Sequence, residues 1–186
     1  GGVARLKKSA FLEGSDAVIP TTGDFVMLEW NPQGESRILA TLPRRTKFER
    51  LDPSSSGRKA QVLAANFDTV LLLMSLNQNF NVRRLERFVS LAWKSGATPV
   101  VVLTKADLVA DSAPFLAEVR VAIPNVTVHA VSVKTGTGID VLAPYVRPRK
   151  TLVLFGSSGV GKSSLVNALA GDELMPTLEI RACDGK

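Results

Sequence analysis

The chain has 186 residues, of which 45% are hydrophobic and 22% charged, a balance that excludes wholesale disorder and a membrane bundle. The longest aliphatic run, Val70-Leu71-Leu72-Leu73-Met74, is far below the roughly 20 residues that span a bilayer, and the N-terminal stretch lacks the apolar segment of a secretory signal. One Cys and one His exclude an intrachain disulfide and a four-ligand Cys/His zinc site within these residues, while the net charge of +6 suits a polyanionic partner.

In chain order, residues 7–11, 24–30 and 35–41 are predicted as short strands. The last two are joined by the turn Asn31-Pro32-Gln33-Gly34. A basic segment, Leu42-Pro43-Arg44-Arg45-Thr46-Lys47-Phe48-Glu49-Arg50, leads into the turn-rich Asp52-Pro53-Ser54-Ser55-Ser56-Gly57, which is expected to be a linker or loop. The composition shifts there, dividing the chain into a small β module at 1–57 and a larger domain at 58–186.

Beyond Ala60, β-branched runs alternate with amphipathic stretches. Strands are predicted at 69–75, 98–104, 126–131 and 150–155. A helix capped by Asn81 and stopped by Gly96 places Leu85, Phe88, Val89 and Ala92 on a core face and Arg83, Arg84, Glu86, Arg87 and Lys94 elsewhere. Weaker helices are predicted at 113–122 and 137–146. This alternation predicts a parallel sheet covered by helices, with ligands bound beyond the carboxyl ends of its strands. His129 falls in the alternating run Val126-Thr127-Val128-His129-Ala130-Val131 and is read as a strand position rather than a catalytic base.

The most specific motif follows the last strand. Gly156-Ser157-Ser158-Gly159-Val160-Gly161-Lys162-Ser163, continued by Ser164, matches G-x-x-x-x-G-K-[ST] between a strand and a helix expected at 163–169. Its glycines let successive backbone N–H groups turn inward on a β-phosphate at the positive end of a helix. Lys162 is placed to bridge the β- and γ-phosphates, and the Ser163 hydroxyl to ligate Mg²⁺.

Thr104-Lys105-Ala106-Asp107 ends the strand at 98–104. The Asp107 carboxylate can accept from guanine N1–H and N2–H₂, whereas adenine offers an acceptor at N1 and no 2-amino group. The Lys105 stem suits the face of the base. Ser132-Val133-Lys134 ends the next strand, where the Val133 N–H can donate to guanine O6 and Lys134 can lie along the base. Three strand ends thus converge on one nucleotide.

These three motifs resemble the G4, G5 and G1 motifs of GTPases, in the order G4-G5-G1 that indicates circular permutation. With the preceding β module, Gly23-Asp24, Leu42-Pro43-Arg44 and Ala65-Asn66-Phe67-Asp68, the chain is similar to the ribosome small-subunit-dependent GTPase A family (RsgA/YjeQ). The resemblance implies an α/β, circularly permuted P-loop GTPase domain after an incomplete OB-like β-barrel module, with Thr104 standing where the usual motif has Asn. It implies a cytoplasmic GTP hydrolase of late 30S subunit maturation, with GTP/GDP and Mg²⁺ as ligands and Lys162 stabilising phosphate charge. The expected partners are the small ribosomal subunit and its rRNA, with no membrane and with a monomer as the default state.

Arg44, Arg45, Lys47 and Arg50 are the expected RNA contacts, with Phe48 available to stack on a base. The family's D-x-x-G motif, second switch, water-positioning residue and C-terminal zinc region do not occur in these residues, so the resemblance implies a part of a longer chain that binds nucleotide with little turnover. The strand at 152–155 would then form an apolar edge that favours self-association or instability. An adenine-nucleotide ATPase or kinase, and an RNA-binding module with a regulatory nucleotide site, are the alternative readings.

Overall fold

A computed structural model describes residues 3–6, 18–51 and 60–175, apart from the side chains of Arg50, Leu51 and Ala60. The strand expected at 7–11, the turn-rich stretch at 52–57 and Cys183 lie outside the described residues. The chain divides into two units, Gly1–Phe67 and Asp68–Lys186. This boundary falls ten residues beyond the expected 57, because the strand that begins at Ala60 pairs backward with the N-terminal unit.

In the N-terminal unit, β1 (Ala4–Leu6) lies parallel to β3 (Ser36–Thr41), and β2 (Val26–Glu29) lies antiparallel to β3, giving the order β1-β3-β2. The turn between β2 and β3 forms as expected, with the Gln33 N–H donating to Asn31 Oδ1 at 3.1 Å. A second ladder joins β4 (Lys47–Leu51) and β5 (Ala60–Ala65) antiparallel. The described strands therefore make a three-stranded sheet and a two-stranded ladder, with no hydrogen-bonded closure into a barrel among the described residues.

Side-chain bonds tie these pieces together. The Thr46 hydroxyl donates to the Phe67 carbonyl at 2.7 Å and accepts from the Phe67 N–H at 2.8 Å. The Asn66 amide donates to the Gly23 carbonyl at 3.1 Å and accepts from the Arg45 N–H at 2.9 Å.

The second unit is built on four parallel strands in the order β8-β7-β6-β9: β6 (Thr69–Ser75), β7 (Thr98–Thr104), β8 (Thr127–Ala130) and β9 (Leu152–Gly156). Both β6 and β7 are almost wholly buried, which explains their continuous apolar runs. The helices are α1 (Val82–Lys94), α2 (Ala113–Ala122) and α3 (Lys162–Ala170).

One sheet face, carrying Leu71, Leu73, Val100 and Val102, packs with Val131, Leu142, Val160 and Leu165, so α3 covers that side. On the other face Phe155 meets Phe88 edge-on at 4.8 Å, which places α1 there; α2 packs beside it against β8. Each fully buried Leu or Val on these faces contributes about 1.5–3 kcal/mol.

The expected helix at 137–146 is instead a 3-10 run, Asp140–Tyr145, containing Pro144. Proline has no N–H for the helical ladder and its ring crowds the preceding turn. His129 occupies β8 as expected. Its Nε2 lies 3.0 Å from the Tyr145 hydroxyl, which fastens this run to the sheet. No helix among the described residues is long and apolar enough to cross a membrane. The strand at β9 is an edge among the described strands, and its residues are all half-buried.

Candidate functional site

The chain lays down β6, β7 and β8 in one direction across the sheet, then returns to place β9 on the opposite side of β6. Sheet order therefore reverses between β6 and β9, and a crevice opens outside the carboxyl ends of strands at such a point. The loop 156–161 follows β9 directly into this crevice and runs into α3.

Two glycines show why the loop has its composition. At Gly156 a Cβ would meet the Leu73 carbonyl oxygen at 2.7 Å, so only glycine allows β9 to leave the sheet this close to β6. Gly161, which opens α3, has φ +99°, a conformation that L side chains rarely adopt. Val160 is buried in the core and anchors the loop, while Ser157, Ser158 and Gly159 are exposed. No side chain caps α3, which leaves its first-turn N–H groups directed at the crevice.

Lys162 folds back over this loop. Its ammonium donates to the Gly156 carbonyl at 2.9 Å and the Ser157 carbonyl at 2.7 Å, and burial pulls its pKa below the usual lysine value. A partly desolvated cation is thereby held against the loop by two carbonyls, which phosphate oxygens can replace. Ser163 and Ser164 are half-buried in the first turn of α3.

The end of β7 is joined to this loop, and the end of β8 to that of β7, by hydrogen bonds that no motif spacing revealed. The buried Thr104 hydroxyl donates to the Val160 carbonyl at 2.6 Å, linking the end of β7 to the loop after β9. Lys105 then takes a left-handed conformation, φ +57°, and Asp107 falls in the short 3-10 turn Ala106–Leu108. The buried Ser132 hydroxyl donates to Asp107 Oδ1 at 2.5 Å. The Ala106 N–H donates to the Val131 carbonyl at 3.1 Å, so β7 and β8 hand over their exits as one unit. The loop beyond is held by the Ser132 N–H on the Thr137 carbonyl at 2.9 Å. Val133 packs against the core, and Lys134 is exposed.

All three expected motifs thus lie at carboxyl ends of strands of one parallel sheet, β7 and β8 side by side and β9 separated from them by β6. Arg84, assigned from the sequence to the solvent side of α1, is half-buried instead, and its Nη1 donates to the Ser157 hydroxyl at 3.3 Å. Helical periodicity missed this because the partner arrives 73 residues later in the chain.

The expected RNA contacts fare differently within the N-terminal unit. The Arg44 guanidinium grips Asp24 through Nε at 2.8 Å and Nη2 at 2.6 Å and also donates to the Ile19 carbonyl at 2.9 Å. Its side chain is 13% exposed and that of Asp24 is 0% exposed. This is a buried structural ion pair, not a guanidinium presented to a phosphate. Phe48 is also corrected: strand alternation in β4 turns it inward at 3% exposure, so it cannot stack on a base. Arg45 and Lys47 are exposed, Lys47 in an ion pair with Glu49 at 2.7 Å, and the side chain of Arg50 lies outside the described residues. Among the described residues no group of three or more His, Cys, Asp or Glu side chains is gathered as a metal site.

Comparison with known proteins agrees with this geometry. A model of the RsgA GTPase family matches residues 41–186. The chain is 46% identical over 184 residues to the small ribosomal subunit biogenesis GTPase RsgA 1 of Listeria innocua, covering 99% of this chain and 51% of that protein. It is 46% identical over 183 residues to RsgA of Streptomyces coelicolor, covering 96% and 49%. The chain spans about half the length of these curated relatives.

Among solved structures, YjeQ from Thermotoga maritima superposes with a TM-score of 0.69 at 26% identity, over 96% of this chain and 58% of that one. YloQ, described as a circularly permuted GTPase, gives 0.58 at 25% identity, over 83% and 51%. The parallel sheet, its motif order and these matches establish the circularly permuted GTPase fold. With a family model covering its whole second unit, the chain belongs to the RsgA GTPase family.

Proposed function

We propose that the second unit binds a guanine nucleotide between its three strand ends, and that the whole protein hydrolyses GTP in small-subunit ribosome biogenesis, as the names of its relatives say of them. The observation that carries the nucleotide reading is the pair of bonds joining Thr104 to Val160 and Ser132 to Asp107. Together they hold a base-reading carboxylate and a phosphate loop in one rigid frame. Asp107 is exposed and retains acceptor capacity beyond its bond to Ser132, which suits guanine N1–H and N2–H₂ and opposes adenine. Val133 and Lys134 would complete the base site. Gly156, Ser157, Ser158, Gly159, Val160 and Gly161 would cradle the phosphates, and Lys162 would carry their charge.

Mg²⁺ fits the donor set. Ser163 offers a hard hydroxyl oxygen beside the phosphate loop, and phosphate oxygens and waters would fill the remaining positions such an ion requires. When bound, the ion would neutralise phosphate charge. The chain's own groups bind and orient: the loop amides fix the phosphates, Lys162 offsets their charge, and Asp107 fixes the base.

RNA contact by the N-terminal unit belongs to the same reading, through Arg45, Lys47 and Arg50. The exposed Lys47–Glu49 pair is worth little in water and can exchange its carboxylate for a phosphate. Charge removal at Arg45 and Lys47 should flatten the salt dependence of RNA or 30S binding by close to one unit for each phosphate that is no longer neutralised.

Comparative titration with fluorescent GDP, GTP and ATP tests the central reading. Binding of both guanine nucleotides with discrimination against ATP is the expected result. Equal affinity for ATP would assign the site to an adenine or unselective nucleotide. Turnover by the full-length chain with and without 30S subunits tests the enzymatic part, and turnover that subunits leave unchanged would overturn the ribosomal assignment.

A further inference from the structure

The two strands between which the sheet order reverses, β6 and β9, send their exits to the same crevice, but the nucleotide motifs account only for the exit of β9. The exit of β6 is built as firmly. The Ser75 hydroxyl donates to Asn77 Oδ1 at 2.9 Å, the Asn79 N–H donates to the same oxygen at 3.0 Å, and the Phe80 N–H donates to the Asn77 carbonyl at 2.9 Å. Asn81 then caps α1 by accepting from the Arg84 N–H at 2.9 Å. This chain of turns delivers the first turn of α1, and with it Arg84, to the phosphate loop.

The charge of that first turn is opposite to what helix stability favours. Arg83 and Arg84 are the second and third residues after the cap, with no acidic residue in the turn, so two cations sit at the positive end of the helix. Yet the Arg84 guanidinium is drawn to the loop, where Nη1 meets the Ser157 hydroxyl. The Ser157 carbonyl is already held by Lys162. Two cations from different elements therefore converge on one residue of a phosphate-binding loop, and Arg84 has four further N–H donors beyond the one on Ser157.

Resting on the nucleotide reading above, we propose that Arg84 is a phosphate-contacting residue of this site, a second cation that acts on the terminal phosphate of a bound triphosphate. The Ser157 hydroxyl holds it in the nucleotide-free site. The arriving phosphate, a stronger acceptor than a serine hydroxyl, takes over the guanidinium in a charge-assisted bond. The helix then gains as well, because an anion neutralises the adverse charge at its N-terminus.

The test is isothermal titration of GDP and of the non-hydrolysable guanosine 5′-(β,γ-imido)triphosphate with the wild-type chain, Arg84→Ala and Arg84→Lys, each checked for its thermal transition. Because the Asn81 cap uses the backbone N–H of residue 84, Arg84→Ala keeps the cap and is expected to fold. It should weaken the triphosphate analogue about tenfold or more while changing GDP less than threefold. Arg84→Lys should recover part of the loss. Equal effects on both nucleotides, or none, in Arg84→Ala and Arg84→Lys would overturn the proposal. Wild-type protein that binds neither nucleotide would overturn the guanine-nucleotide reading itself, and this inference with it.

Discussion

The hydroxyl of Thr104 donates to the carbonyl of Val160 at 2.6 Å across 56 residues of sequence, and both residues are at 3% exposure. This bond ties the end of β7 directly to the loop after β9. Thr104→Val, which keeps the shape and removes the donor, leaves a buried carbonyl unpaired and should cost about 1–3 kcal/mol of stability. It should also weaken GDP binding several-fold with no change in the preference for guanine over adenine. Thr104→Ser retains the hydroxyl and should stay close to wild type. Denaturant midpoints and GDP titrations of the two variants check both statements.

Base selection should follow Asp107. Xanthine carries a carbonyl at C2 where guanine has an amino group, so Asp107→Asn should shift preference from GDP toward XDP. Ser132→Ala removes the bond that orients this carboxylate and should lower GDP affinity without any gain for XDP. Unchanged GDP binding in Asp107→Asn would remove Asp107 from the site, and equal loss of both nucleotides would indicate a structural role.

Lys162 should discriminate by phosphate number. Its ammonium now rests on two loop carbonyls, and it can serve the β- and γ-phosphates but not a lone α-phosphate. Lys162→Ala is therefore expected to weaken GTP and GDP by tenfold or more while leaving GMP nearly unchanged. Ser163→Ala should instead reduce the Mg²⁺ dependence of binding. Competition titrations with the three nucleotides, with and without Mg²⁺, separate the two residues.

Acid should destabilise the two units at different pH. The Arg44 guanidinium beside Asp24 holds that carboxyl below its ordinary value, so the fold binds this proton less readily than the unfolded chain does. The stabilisation is complete above about pH 4 and is lost as pH falls through the lower value of the folded state. Burial, and secondarily Arg120, pulls His129 below its usual value. Its neutral form is favoured by the fold, and that contribution is present above about pH 6.5 and lost on acidification below it. Melting temperature against pH should show both losses, and His129→Phe should remove the one at higher pH. Arg44→Ala, which leaves the part-buried Asp24 charge without its partner, should cost about 1–3 kcal/mol at neutral pH.

The sequence by itself determined the features that depend on local pattern. The apolar runs of β6 and β7 are long and β-branched enough to declare buried strands, and Asn81 and Gly96 bracket α1 with a cap and a stop that act within a few residues. The phosphate loop was legible because its glycines answer to backbone geometry at their own positions. The order of the three motifs carried the permuted topology, since strand exits in a parallel sheet share one edge.

Tertiary structure alone decided what each polar side chain meets. Arg44 and Phe48 sit in a stretch whose composition suits RNA contact, yet Asp24 lies 20 residues away in sequence and claims the arginine, and the pleat of β4 turns the phenylalanine inward. Arg84 occupies a helical position that periodicity assigns to solvent, and only the return of β9 beside β6 brings Ser157 to it. Pro144 broke an expected helix into a 3-10 run, which the His129–Tyr145 pair then fixes to β8. Hydrophobic periodicity reports which face of an element is buried. The partner of a charged or hydroxyl group depends on which distant strand ends the sheet order makes neighbours, and that information is not local to any segment of the chain.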